Sequence, residues 1–331
     1  GSLSPGRRET DQPGSCCRAA MRSSMGGWVE KSLVTPPPCA ARGFTWASGA
    51  AAGATLSGTT GQLIAFVLIA LGLAGAILPV LPGAILINCA AITRDGFDPA
   101  LEAANLTITT NALRLTNGPV VHLSSSSAYD LTKPSIHARP EPNQKPKFLN
   151  SYSASKWATE QVVAAQAQRA AIILRPHAVY GDGDSTLLPR LRSAVRSGNK
   201  LWLPSGGRAK HAMTSIENLV QAVLLAVAKV SQPDFTGQLT LNVTDANEVK
   251  LADAITAALH DLDKPLKIIG VPRPLAYLAA GWVELVTPSG IEPRISRYSV
   301  QQLGCERTYD LSETVKQLGF QPKPNSLASP D

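Results

Sequence analysis

The chain has 331 residues, is 44% hydrophobic and carries a formal net charge of +7. That is enough for one large domain or two modest ones with a substantial core. Its bases are scattered, with no run of Lys and Arg interleaved with aromatics, so nucleic acid is not an expected partner. The five cysteines, Cys16, Cys17, Cys39, Cys89 and Cys305, are odd in number and show no CxxC spacing. With no His/Cys cluster beside them, they predict a reduced intracellular chain with no metal.

Residues 1–50 are rich in Gly, Ser, Pro and Arg and lack a periodic apolar face, which predicts a disordered or non-native extension. The folded part is expected over 51–331. Residues 43–93 contain no Asp, Glu, Lys or Arg, and Leu63–Leu78 within them is an unbroken apolar run. Such a run is near the ~17–25 residues that cross a bilayer. It reads either as a membrane-associated segment or as a buried helix of an α/β sheet, the second being preferred. The corresponding locations are membrane-associated and cytoplasmic.

Beyond this run, short apolar segments alternate with helical ones. Gly83–Cys89, Pro119–Leu123, Ile172–Leu174 and Leu239–Val243 read as strands; Asn105–Leu115, Ala154–Ala171, Ile216–Lys229 and Leu251–Leu259 read as helices. Alternation of this kind predicts an α/β, Rossmann-like, doubly wound parallel sheet with its ligand crevice at the carboxyl ends of the strands. A small C-terminal substrate lobe is expected mainly from residues 182–215 and 235–290.

The chemistry is concentrated in Ser151-Tyr152-Ser153-Ala154-Ser155-Lys156. Tyr152 and Lys156 are four residues apart at a helix start, which places them on one helix face. A free phenol has a pKa of ~10, and a neighbouring ammonium is expected to lower it, so that Tyr152 exchanges a proton with a substrate oxygen. Upstream, the strand ending at Leu123 runs into Ser124-Ser125-Ser126-Ser127, whose hydroxyls sit where a strand end meets the crevice. The histidines His122, His177 and His211 have no partner at ligand or triad spacing and are read as structural.

These segments resemble the extended short-chain dehydrogenase/reductases, the NAD-dependent epimerase/dehydratase superfamily. The resemblance rests on Val-His-Leu-Ser-Ser-x-x-x-Tyr, on Tyr-Ser-Ala-Ser-Lys-Trp-Ala-Thr-Glu, and on Leu-Arg-Pro-His-Ala-Val-Tyr-Gly-Asp-Gly-Asp, and covers about residues 83–325. It implies Ser125 as the catalytic hydroxyl, with Ser126 as the alternative, Tyr152 as the acid-base and Lys156 as its partner. It also implies NAD or NADP as cofactor, held by Ala90, Asn105, Tyr152, Lys156, Pro176 and Val179. Met213–Val220, Lys267–Tyr277 and Arg307–Ser312 are similar to the 3β-hydroxysteroid dehydrogenase branch. That branch implies a secondary alcohol or ketone on a sterol-like or other small apolar substrate. A sugar-nucleotide epimerase or dehydratase, and a non-catalytic relic of the family, are the alternatives. A homodimer is a further expectation.

The cofactor half departs from this pattern. Ser57-Gly58-Thr59-Thr60-Gly61-Gln62-Leu63-Ile64 resembles the family's glycine-rich turn, with Gly58 and Gly61 at the pyrophosphate, but Ile64 stands at the third glycine. No Asp or Glu lies between Glu30 and Asp95 to hold an adenosine ribose. From Gly61 to Ala84 there is too little chain for two further strands and their helices, so the N-terminal half is expected to be truncated.

Overall fold

The computed structural model describes residues 84–141, 145–166, 169–184, 186–288 and 291–327. The expectations for residues 1–50, for Gly58, Gly61 and Ile64, and for the apolar run at 63–78 therefore lie outside the described residues. In chain order the elements begin with β1 (Leu86–Asn88), α1 (Pro99–Arg114), β2 (Val120–Leu123), β3 (Ser135–Ala138), α2 (Ser151–Ala164) and β4 (Ala171–Pro176). Next come β5 (Val179–Tyr180), α3 (Leu187–Ala194), β6 (Lys200–Pro204), β7 (Lys210–His211), β8 (Thr214–Ser215) and α4 (Ile216–Val230). The remainder is β9 (Gln238–Val243), β10 (Val249–Lys250), α5 (Leu251–Ala258), β11 (Lys267–Val271), α6 (Arg273–Val286), α7 (Arg297–Gly304), β12 (Arg307–Tyr309) and α8 (Ser312–Leu318).

The main sheet has the order β1-β2-β4-β9 and every pair in it is parallel. Successive side chains on a strand face opposite ways, and the core divides accordingly. Val121, Ile172, Leu174, Leu241 and Val243 pack against Leu219, Ala222, Ala226 and Val230 of α4 and against Leu318 and Phe320. Val120, Ala171 and Ile173 pack on the other side with Leu113 of α1 and Val163 of α2. Both faces of the sheet are thus covered, which is why these strands read as apolar runs rather than alternating ones. The expected doubly wound α/β architecture is present in the described residues.

The lobe beyond β4 is built from shorter pieces. β6 pairs with β11 in parallel, and its inward Leu201 and Leu203 meet Leu251, Ile255 and Leu259 in and beside α5. β12 joins β3 and β7, with the wholly buried Arg307 at its start. The Arg307 guanidinium donates to the carbonyls of Leu131, Lys133 and Gln301, so one cation ties the lobe to the segment after the serine-rich loop.

Candidate functional site

Three strand ends bound the site: Asn88 of β1, Leu123 of β2 and Pro176 of β4, all at the carboxyl edge of the parallel sheet. Such an edge is where open α/β sheets bind ligands. Helix α2 delivers Tyr152 and Lys156 to this edge. Its start is fixed by Asn150, whose side-chain oxygen accepts from the Ser153 N–H at 2.9 Å and whose amide donates to Asp95 at 2.9 Å. Asp95 in turn bonds Ser296 ahead of α7, so the lobe holds the first turn of α2 in place.

Lys156 is buried and its Nζ donates to the Leu123 carbonyl at 2.9 Å, beside the Tyr152 ring, whose centroid is 5.9 Å away. Burial pulls the ammonium down to about 8, with Glu160 and Cys89 opposing that fall. The expectation that Lys156 lowers the Tyr152 pKa is not met. Burial pushes the phenol well up, the neighbouring Tyr298 adds to the rise, and a hydrogen bond with Ser125 opposes it. Withdrawal from water dominates here, because a phenolate loses its hydration on burial.

The serine-rich loop separates the two serine candidates. Ser125 caps a short 3-10 turn, Ser126–Ala128, and its hydroxyl meets the Tyr152 phenol. Ser126 points elsewhere, 2.7 Å from His177 Nδ1. Ser124 is tied to Glu160, which also forms a buried bidentate pair with Arg175 at 2.8 and 2.6 Å. Adjacent serines therefore serve three different partners.

Ala90 and Cys89 follow β1 and are exposed at the mouth of the crevice. Asn105 is buried, and its amide accepts from the Ile92 N–H at 2.7 Å and donates to the Ile92 carbonyl and to Ser155. It fastens the loop after β1 to α2, which is a positioning role. Pro176 is buried at the end of β4, and Val179 is half-buried where β5 pairs with Thr214. Ala178 between them holds a positive φ of 43°, a left-handed conformation that L-residues seldom adopt and that a sharply turned segment imposes.

His122, His177 and His211 are all buried. His122 bridges Asn88 and Thr159, linking β1, β2 and α2, and burial holds it neutral at about 3. His177 stacks on His211 at 5.6 Å, and burial lowers both, with Arg307 adding to the effect. Among the described residues no group of three His, Cys, Asp or Glu side chains is arranged to hold a metal ion.

One residue at the site was not anticipated from sequence. Tyr298 on α7 reaches Ser127 Oγ at 2.9 Å and lies close enough to Tyr152 to raise its pKa. The signal that places it is the Ser296-x-x-Ser299 capping box, in which each side chain bonds the other's backbone N–H and so sets where α7 begins.

Whether a nicotinamide cofactor suits this edge is decided by the donors left there. The Lys156 ammonium has three N–H groups, and among the described residues its hydrogen bond goes to Leu123 alone. The exposed backbone of Ala90 and the turned segment 176–179 flank it. A buried cation with unspent donors at a strand-end crevice fits a polar ribose.

Comparison with known proteins agrees with this geometry. Residues 84–240 match the NAD dependent epimerase/dehydratase family. The chain is 30% identical over 181 residues to the uncharacterized protein YbjS of Escherichia coli, covering 53% of each. It is 26% identical over 212 residues to 3beta-hydroxysteroid-dehydrogenase/decarboxylase isoform 1 of Arabidopsis thaliana, covering 60% of this chain and 48% of that one. The chain spans about half the length of these curated relatives. Its fold resembles the crystal structure of a UDP-galactose 4-epimerase, with a TM-score of 0.52 at 20% identity over 73% of each chain. Residues 84–240 thus match the NAD-dependent epimerase/dehydratase family, and the chain is similar to named 3beta-hydroxysteroid and sterol-4-alpha-carboxylate dehydrogenases over about half their length.

Proposed function

We propose that the protein is an NAD(P)-dependent oxidoreductase that interconverts a secondary alcohol and a ketone on a sterol-like or other small apolar substrate. The observation that carries this reading is the meeting of Ser125, Tyr152 and Lys156 at the carboxyl edge of the parallel sheet. A nicotinamide bound at that edge supplies or accepts the hydride, chemistry that no side chain of the chain offers.

The residues then divide the remaining work. In the reducing direction Tyr152, held as a neutral phenol by burial, donates its proton to the carbonyl oxygen. Ser125 donates a hydrogen bond to the same oxygen and steadies the charge that develops there. The Lys156 ammonium would hold the cofactor's ribose through its remaining N–H donors. In the oxidising direction each transfer reverses. The named activity of the Arabidopsis relative supports the sterol-like class. The sequence at 211–218, His-Ala-Met-Thr-Ser-Ile-Glu-Asn, supports it over a sugar nucleotide, because sugar-nucleotide epimerases usually carry Arg-Asp-Phe and a paired Asp there.

The test is turnover by the full chain with NADH or NADPH and three substrates: a 3-oxosteroid, a long-chain aliphatic ketone and UDP-galactose. Reduction of an apolar ketone, followed as loss of the reduced nicotinamide's absorbance, is expected. Epimerisation of UDP-galactose without ketone reduction would replace this reading with the epimerase alternative. No turnover of any of the three, with no cofactor binding, would leave a relic.

A further inference from the structure

Tyr298 and Gln302 are four residues apart on α7 and so share one helix face. The Gln302 amide donates from Nε2 to the Tyr298 hydroxyl at 3.3 Å. That hydroxyl meets Ser127 Oγ at 2.9 Å, and Ser127 Oγ lies 3.2 Å from Ser125 Oγ. Ser125 completes the line at the Tyr152 phenol. An unbroken run of hydrogen bonds therefore joins an amide on α7 to the acid-base tyrosine. Gln302 Oε1, the other end of that amide, is buried and has no hydrogen-bond partner among the described residues.

The chemistry of the amide end limits how the protons of this run are shared. An amide nitrogen only donates, whereas a hydroxyl donates one proton and accepts at its oxygen. Burial raises the Tyr298 phenol, so it stays a hydroxyl. Ser125, Ser127 and Tyr298 bring three hydroxyl protons to the two bonds between them. One proton is left over, because Gln302 supplies its own to the bond with Tyr298. In the structure Ser125 donates to Ser127. A substrate oxygen that takes the Ser125 proton turns the links round, so that Tyr298 donates to Ser127 and Ser127 to Ser125. The Ser127 backbone N–H, 3.1 Å from Ser125 Oγ, holds that oxygen in place as its proton swings. An acceptor in place of the amide nitrogen would consume the Tyr298 proton. Ser127 would then donate to Tyr298 and Ser125 to Ser127, with nothing left for substrate.

We propose that Gln302 and Tyr298 are positioning residues that act through Ser127 to leave the Ser125 proton free for the substrate oxygen. The proposal rests on the oxidoreductase reading of Ser125, Tyr152 and Lys156. It gives α7, a helix of the lobe far along the chain from the serine-rich loop, a part in aiming the catalytic hydroxyl.

A double-mutant cycle in the full chain tests it, read as kcat for ketone reduction. Ser125→Ala is expected to lower kcat by ~10²–10³-fold, as loss of a donor to a developing oxyanion does. Tyr298→Phe is expected to lower it by about 10-fold, because Ser125 keeps its hydroxyl and loses its orientation. KM for the reduced nicotinamide should not move, since Lys156 lies outside the run. Adding Tyr298→Phe to Ser125→Ala should lower kcat no further, because a residue that acts only through Ser125 has no effect once that hydroxyl is gone. Should Tyr298→Phe fail to fold, Gln302→Glu closes the same cycle with an acceptor of equal size. Assayed where its carboxyl is ionised, it should lower kcat in the wild type and not in Ser125→Ala. Unchanged kcat in the single variants, or an equal fall in the Ser125→Ala background, would overturn the proposal. Ser125→Ala with wild-type kcat, or a wild type that reduces no ketone, would instead remove the reading beneath it and the proposal with it.

Discussion

Burial acts on Tyr152 and Lys156 alike by favouring the neutral form of each, which raises the phenol and lowers the ammonium. The lysine effect has a sign that can be measured. Its folded pKa is about 8 against 10.5 for the free group, so between those values the unfolded chain binds more protons than the folded one. Stability linked to Lys156 therefore rises as pH rises through that window, by up to about 1.4 kcal/mol per pH unit. Denaturant unfolding at pH ~7.5 and ~9.5 should show this gain in the wild type and not in Lys156→Met. Equal gains in both proteins would contradict the placement of a buried ammonium. The four-residue spacing of this pair was legible in the sequence because helical geometry alone sets it. The direction of the tyrosine shift was not, because it depends on how much water the folded lobe removes. In the same way, the run of four serines could not say which hydroxyl meets Tyr152. That is decided by the 3-10 turn that Ser125 caps, which sends Ser126 to His177.

Helix α2 begins at Ser151, three residues before the Ala-rich stretch that announces it in the sequence. The difference is Asn150, an N-cap whose amide also reaches Asp95 across 55 residues of chain. Periodicity of apolar residues marks the body of a helix, while its first turn is set by the capping side chain. Losing this cap costs ~0.5–2 kcal/mol in a typical helix. Asn150→Ala should therefore lower unfolding stability by about 1–2 kcal/mol. It should also reduce kcat, because Tyr152 sits in the first turn that the cap holds. A variant with wild-type stability and wild-type kcat would show that the bonds of Ser151 to Gly96 and Asp98 fix that turn without the cap. The lobe elements were less legible for a related reason. β7 and β8 are two residues long and owe their existence to partners distant in sequence, such as Arg307 opposite His211.

Across the whole molecule, the parallel sheet could be read in advance because strands buried on both faces are continuous apolar runs. The residues proposed to flank the nicotinamide lie among the described ones, whereas no acid lies between Glu30 and Asp95 to hold an adenosine ribose. Each missing charge-assisted hydrogen bond is worth ~1.5–3 kcal/mol. Calorimetric titration should then find NADH bound little more tightly than the mononucleotide NMNH. A preference of several orders of magnitude for NADH would show that adenosine-side groups are present after all. The account as a whole depends on the Tyr152 hydroxyl more than on any other group. Its most direct test is the kcat of ketone reduction by Tyr152→Phe, measured beside wild type at matched saturation with the reduced nicotinamide. A fall of ~10²–10⁴-fold, with nicotinamide binding and unfolding stability unchanged, is the predicted result; a near-normal kcat in the Phe variant would contradict it.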